Sequence, residues 1–306
     1  MSWSTNDVPS QQGRIAVITG ANGGLGLETA RALAAKGAHV VMAVRNPQKA
    51  AAALEDIKGT VPDASLEIVS LDLGSQTSVR DAAAVILAAH PRIDLLINNA
   101  GVMAVAEGRT VDGFEQQLGV DHLGHWTLTA LLLPALVNTE GARIVTVTST
   151  AHLMGHAIDP KNPNLEGRYR PWRAYGQAKL ANFHFGLGLD QKLRRKGALA
   201  RSLIAHPGLS RTDLQQTSVV ESHGGTSQRI AEFLTRLIGT PPAKGALSQL
   251  RAASDPSAKG GEFYGPLFVN NGPPVRKPIL RRVGLDAAVA QLWRVSTELT
   301  ATALDV

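Results

Sequence analysis

The 306-residue chain has no cysteine. That excludes disulfide staples, thiolate metal sites and cysteine nucleophiles, and it suits a reducing compartment, so a cytoplasmic location is expected. Long apolar runs are also missing. The longest, LTALLLPALV at 128–137, is about half of the ~20 residues that a membrane span needs. The opening MSWSTNDVPSQQGR has no apolar h-region and does not read as a secretory signal. Aromatic residues are scarce at 4%, and no stacking pattern accompanies the basic ones, although the formal net charge is +6. Lys and Arg are scattered; the densest patches are Arg194–Arg195 and the group Arg276, Lys277 and Arg281. A solvated basic surface is the expectation, with no nucleic-acid partner.

What is present fits a globular chain: 44% hydrophobic and 18% charged residues, with 30 glycines. From residue 14 onward, short runs rich in Val, Ile and Leu alternate with longer amphipathic stretches. RIAVIT, AHVVMA, LEIVSL, DLLIN, RIVTVT and RSLIAH look like strands buried on both faces. Between them, 24–36, 47–58, 79–90, 112–137 and 172–195 carry the 3.6-residue period of helices. This alternation predicts α/β architecture: a single-domain, doubly wound parallel sheet, Rossmann-like, with helices on both faces. Residues 1–13 read as an N-terminal tail and 14–306 as one domain. Two stretches break the alternation: a polar, Pro-rich one at 155–171, and a mixed one at about 214–242 that is placed as a lid. A last helix is expected over 285–299.

The first strand runs into TGANGGLG and then directly into a helix. Glycines there permit a tight turn and close approach of a pyrophosphate to the helix N-terminus. The position after the first strand of a β-α-β unit makes this a dinucleotide site rather than an ordinary turn, with Gly20, Asn22, Gly24, Leu25 and Gly26 as its residues. The spacing stays ambiguous, because Gly20, Gly24, Gly26 and Gly20, Gly23, Gly26 fit two related patterns.

With these motifs the chain resembles the short-chain dehydrogenase/reductase family. The resemblance extends through SLDL, NNAG, the strand-ending Ser149 of RIVTVTS, YGQAK with Tyr175 and Lys179, and HPG at 206–208. It is strong over 14–214 and weaker through GGEFYGP. DHLGHWTLT, VTSTAH and RAYGQAKLAN are similar to the retinol-dehydrogenase-like branch. The resemblance implies cofactor contacts at Asp72, Leu73, Asn99, Ala100, Gly101, Pro207, Gly208 and Thr212, besides Tyr175 and Lys179. It also implies Ser149, Tyr175 and Lys179 as the catalytic set.

The residue types suit that chemistry. Tyr175 and Lys179 are one helical turn apart, so the ammonium can lie near the phenol. A free tyrosine titrates near ~10, and a nearby cation is expected to lower that value toward a useful base. Ser149 then holds the substrate oxygen, Tyr175 handles the proton, and the nicotinamide exchanges hydride. Asp121 departs from the family, which usually carries Asn there to hold a relay water. Asp can also bind that water, and its charge can pair with Lys179 or weaken the pull of Lys179 on Tyr175; it is kept with the catalytic set. His122 and His125, and His152 and His156, are read as packing and loop residues, with no metal expected.

Val44 stands where NAD-preferring members carry an acid, and Arg45 follows. NADP is therefore the expected cofactor, with NAD possible, since Arg offers a forked partner for a 2′-phosphate. The lid's Ile230, Phe233, Leu234, Leu237 and Ile238 are spaced as one apolar face, which either covers a lipophilic alcohol or carbonyl, the expected small-molecule partner, or packs on the domain. Oligomers are possible. The competing readings are a non-catalytic NADP-binding sensor, kept alive by Asp121, and a nucleotide-sugar epimerase, kept alive by the glycine spacing.

Overall fold

The computed structural model describes residues 2–209, 240–280 and 284–306. Four apolar residues and Thr19 form β1 (Ile15–Thr19), and the glycine turn leads into α1 (Gly24–Ala34). Then come β2 (His39–Val44), α2 (Pro47–Thr60), β3 (Ser65–Ser70), α3 (Gln76–Ala89) and β4 (Leu95–Asn98). Helix starts are chemically marked. The Asn46 side chain accepts from the Lys49 amide at 2.9 Å with Pro47 next in line, and Ser75 accepts from the Ser78 amide at 3.2 Å.

The stretch 112–137 is not one helix. A loop leads to a single turn, α4 (Gln116–Leu118), then a widened π-type turn at Gly119–Leu123, then α5 (Gly124–Val137). The chain continues with β5 (Arg143–Val147), α6 (Pro171–Arg195) and β6 (Arg201–Ala205). Later elements are α7 (Pro242–Gly245), α8 (Leu247–Ser254), β7 (Phe263–Phe268), β8 (Asn271–Lys277) and α9 (Leu285–Thr300).

The sheet has eight strands in the order β3-β2-β1-β4-β5-β6-β7-β8. All neighbouring pairs are parallel except β7 with β8. The sequence reading found six of these strands, and the last two extend the sheet. Alternate residues of each inner strand feed two cores. Val17 and Val41 pack with α3, α5 and α6, whereas Ala16, Ile18, Val40 and Met42 pack with α1, α2 and α8. Such fully buried Ile and Met side chains contribute roughly 1.5–3 kcal/mol each. The apolar run 128–137 belongs to this interior: Leu128, Leu132 and Leu136 are inaccessible. No helix among the described residues is long and apolar enough to cross a membrane.

The expected tail is attached to this body. Val8 and Gln11 are buried, and the Gln11 amide donates to Lys36 O at 2.8 Å.

Candidate active site

The carboxyl ends of β1, β4, β5 and β6 meet at one edge, where ligands bind in open α/β sheets. Thr19, the last residue of β1, ties two of these ends together. Its hydroxyl oxygen accepts from the Asn99 and Ala100 amides at 2.9 and 3.0 Å, and its carbonyl accepts from Asn99 Nδ2 at 2.8 Å. The glycine turn then resolves the spacing. Gly20 and Gly24 lie at φ 68 and 52, a region that disfavours side chains, while a Cβ on Gly26 would stand 2.2 Å from Gly20 O. Gly23 is extended and caps α1 without a side chain, so no cap competes for the helix's first amides.

Ser149 follows β5 and opens a short 3₁₀ turn at Thr150–Leu153. Helix α6 starts at Pro171 and brings Tyr175 and Lys179 opposite it. Two hydrogen bonds fix α6 to the end of β5: Thr148 Oγ1 to Lys179 O at 2.7 Å, and Asn182 Nδ2 to Val147 O at 3.1 Å. Ser149, Tyr175 and Lys179 thereby line one cleft of about 170 Å³, together with Leu25, Asn99, Gly101, Pro207 and Gly208.

Asp121 reaches this group from the π-type turn. Its Oδ2 lies 2.8 Å from Lys179 Nζ, and its Oδ1 accepts from the Val102 amide at 2.7 Å. Both partners of the ion pair are buried. Gly101 makes room for it, since a Cβ there would stand 3.1 Å from both Asp121 oxygens and from Lys179 Nζ. Lys179 Nζ lies 5.4 Å from the Tyr175 ring centre.

Lys179 pulls the phenol of Tyr175 downward as expected, yet the phenol stands above its usual value overall. Burial is the main cause and Asp121 adds to it, outweighing the opposing pull of Lys179 and a hydrogen bond with Ser149. For Lys179 burial works against the charge, yet Asp121 and Tyr175 raise its pKa overall. Asp121 is raised by burial against the pull of Lys179. Its turn is also held through His125, whose Nδ1 bonds Asp121 O and whose Nε2 bonds Thr19 Oγ1, both at 2.9 Å. Burial lowers His125 to about 4, so it is a neutral strut.

Other expected residues lie beside the cleft. Arg45 is exposed at the end of β2 and forms no ion pair among the described residues. Asp72 stands just past β3, where Oδ1 accepts from the Gly74 amide at 2.9 Å. The amide before it, on Leu71, donates to Val44 O at 2.9 Å, so these two rims are adjacent. Thr212 and the apolar lid residues lie outside the described residues. The four histidines do not gather: His122 bonds Asn182 and Ser296, His152 stacks on Phe183 with centroids 4.5 Å apart, and His156 is exposed.

Several contributors were not among the residues expected from the sequence. Trp172, one turn before Tyr175, lines the cleft, and so does Asn270 from the β7–β8 connection. Gln249 of α8 donates to Asn99 Oδ1 at 3.1 Å. Only Trp172 had a local signal, its spacing of three from Tyr175 on a helix. Next to the cleft, and sharing Thr150 with it, is an apolar cavity of about 480 Å³ walled by Leu180, Phe183, Phe263 and Val269.

The profile of the short chain dehydrogenase family matches residues 14–222. Human retinol dehydrogenase 13 is 37% identical over 254 residues, which cover 82% of this chain and 76% of the relative. Mouse polyprenol dehydrogenase is 38% identical, covering 83% and 75%. A crystal structure of an uncharacterised protein from Mycobacterium paratuberculosis aligns over 100% of both chains, with a TM-score of 0.80 and 39% identity.

Proposed function

We propose that this chain, which belongs to the short-chain dehydrogenase family, is an NADP(H)-dependent enzyme that interconverts a lipophilic alcohol and its carbonyl. Alcohol–carbonyl oxidoreduction with a nicotinamide cofactor follows from membership. The choice of NADP, the roles of individual residues and the substrate class are our reading, with residues 14–306 acting as one catalytic unit.

The observation that carries it is convergence. Ser149, Tyr175 and Lys179 come from separate segments and share one cleft, with the ammonium held charged by Asp121. The residues present suit a dinucleotide. The glycine turn leaves the N-terminus of α1 without a side-chain cap, a place for pyrophosphate. Leu25, Asn99, Gly101 and Gly208 border the cleft, and exposed Arg45 offers a forked cation for a 2′-phosphate.

In the oxidation direction Ser149 and Tyr175 hold the alcohol oxygen. Phenolate at Tyr175 takes the hydroxyl proton, and the Lys179 ammonium favours that phenolate. The nicotinamide supplies the hydride acceptor at the carbon, or the donor in reverse. The lipophilic choice rests on the adjoining apolar cavity and on the exposed Met154 and Trp172 at the cleft. It also accords with relatives named for retinol and polyprenol.

The test is a panel of long apolar alcohols and ketones against short polar ones, followed at the nicotinamide absorbance. Turnover with NADP(H) on the apolar members is expected. NADPH should bind more tightly than NADH, with Arg45→Ala narrowing the gap. Equal affinity for both cofactors in the parent protein contradicts the NADP assignment.

A further inference from the structure

We propose that His39, Glu67 and His90 form a binding site for a divalent transition ion of the zinc class, at the opposite end of the sheet from the Tyr175 cleft. His39 opens β2, Glu67 lies in β3, and His90 follows α3. The catalytic residues sit beyond the carboxyl ends of the strands; these three sit near the amino ends.

Two imidazoles and one carboxylate offer one ligand atom each, all within 4.8 Å of one another. Glu67 Oε1 is 2.6 Å from His90 Nε2 and 3.7 Å from His39 Nε2. Tetrahedral zinc with bonds of ~2.0–2.1 Å holds its ligands about 3.3 Å apart, so the Glu67–His90 contact would open by about 0.7 Å and the Glu67–His39 contact close by about 0.4 Å, with the two imidazoles drawing in from at most 4.8 Å. Partial exposure of all three leaves a fourth position for water.

A proton shared between His90 and Glu67 explains the short contact but not His39. Its Nε2 is buried and has no hydrogen-bond partner, because 3.7 Å to Glu67 is too long. Buried ring nitrogens seldom stay unmatched. The other ring nitrogen, Nδ1, bonds Ser65 Oγ at 2.7 Å. With Nδ1 as the donor, the Nε2 lone pair faces Glu67 and His90. A bonded outer partner that fixes the tautomer is the usual support of a metal-binding histidine. A cation among the three would satisfy His39 Nε2 and link β2, the edge strand β3 and the end of α3. The N/O donor set, in a chain without cysteine, suits Zn²⁺ and its neighbours rather than soft-metal sites.

The probe is Zn²⁺ itself, titrated by calorimetry into full-length protein stripped with a chelator, with Co²⁺ absorption as a second readout. The expected result is a single ion per chain, a higher unfolding temperature with Zn²⁺, and unchanged turnover. His39→Ala and His90→Ala should each cost more than the ~10–100-fold that loss of an outer partner costs, and Ser65→Ala should fall in that range. Far-UV circular dichroism and cofactor binding check that the variants fold; His39→Gln is the alternative where alanine is not tolerated. Absence of Zn²⁺ binding to the parent protein overturns the proposal. So does binding that survives in the folded His39 and His90 variants.

Discussion

A carboxylate buried 2.8 Å from the Lys179 ammonium acts on two groups at once. It keeps the lysine charged, and its negative field disfavours ionisation of Tyr175. Pairing of Asp121 with Lys179 was one of the readings the sequence left open, and it could not show that burial decides the direction at Tyr175. Desolvation depends on the side chains that close around the phenol, and those come from distant segments. The consequence is directional. Asp121→Asn removes one of the influences raising Tyr175, so the alkaline rise of the oxidation rate should move to lower pH. A pH–rate profile of parent and variant checks this; an unmoved profile, or one moved upward, contradicts the electrostatic role.

Among the elements, α4 shows how a local reading fails. The periodicity of 112–137 suggested one helix, but Glu115 starts a new turn by accepting from the Gln117 and Leu118 amides at 2.9 and 2.7 Å. Burial raises Glu115 from 4.5 to about 7, against those two hydrogen bonds. A folded-state value above the unfolded one means the folded protein holds the extra proton. The associated stability is fully present below pH 4.5 and is lost as pH rises to about 7. Glu115→Gln never ionises. Relative to the parent it should therefore gain stability across that window, by up to about 3 kcal/mol. Urea unfolding of both proteins at several pH values tests this, and parallel stability curves contradict it.

The last strands escaped notice for a related reason. NGPPVRK, which becomes β8, carries two prolines that argue against a central strand. An edge position removes the objection, since β8 pairs with β7 alone. Edge status is a property of the finished sheet, and no window of sequence contains it. The six inner strands were legible because burial on both faces leaves a continuous apolar run in the sequence itself.

For the whole molecule the same division holds. Of the residues that the motifs supply, Gly20, Ser149 and Gly208 follow strand ends closely and Tyr175 and Lys179 stand one turn apart on α6, so their spacing was readable. Asn270 and Gln249 enter from the far end of the chain, and only the packing of α8 and β7 delivers them. In the proposed mechanism Ser149, Tyr175 and Lys179 converge on proton transfer. Tyr175→Phe keeps the ring and its packing while removing the hydroxyl. The decisive measurement is its turnover on an apolar alcohol, alongside NADPH affinity. The account predicts a fall of roughly 10²–10⁴-fold in turnover with cofactor affinity nearly unchanged. Parental turnover in the Phe variant would contradict it.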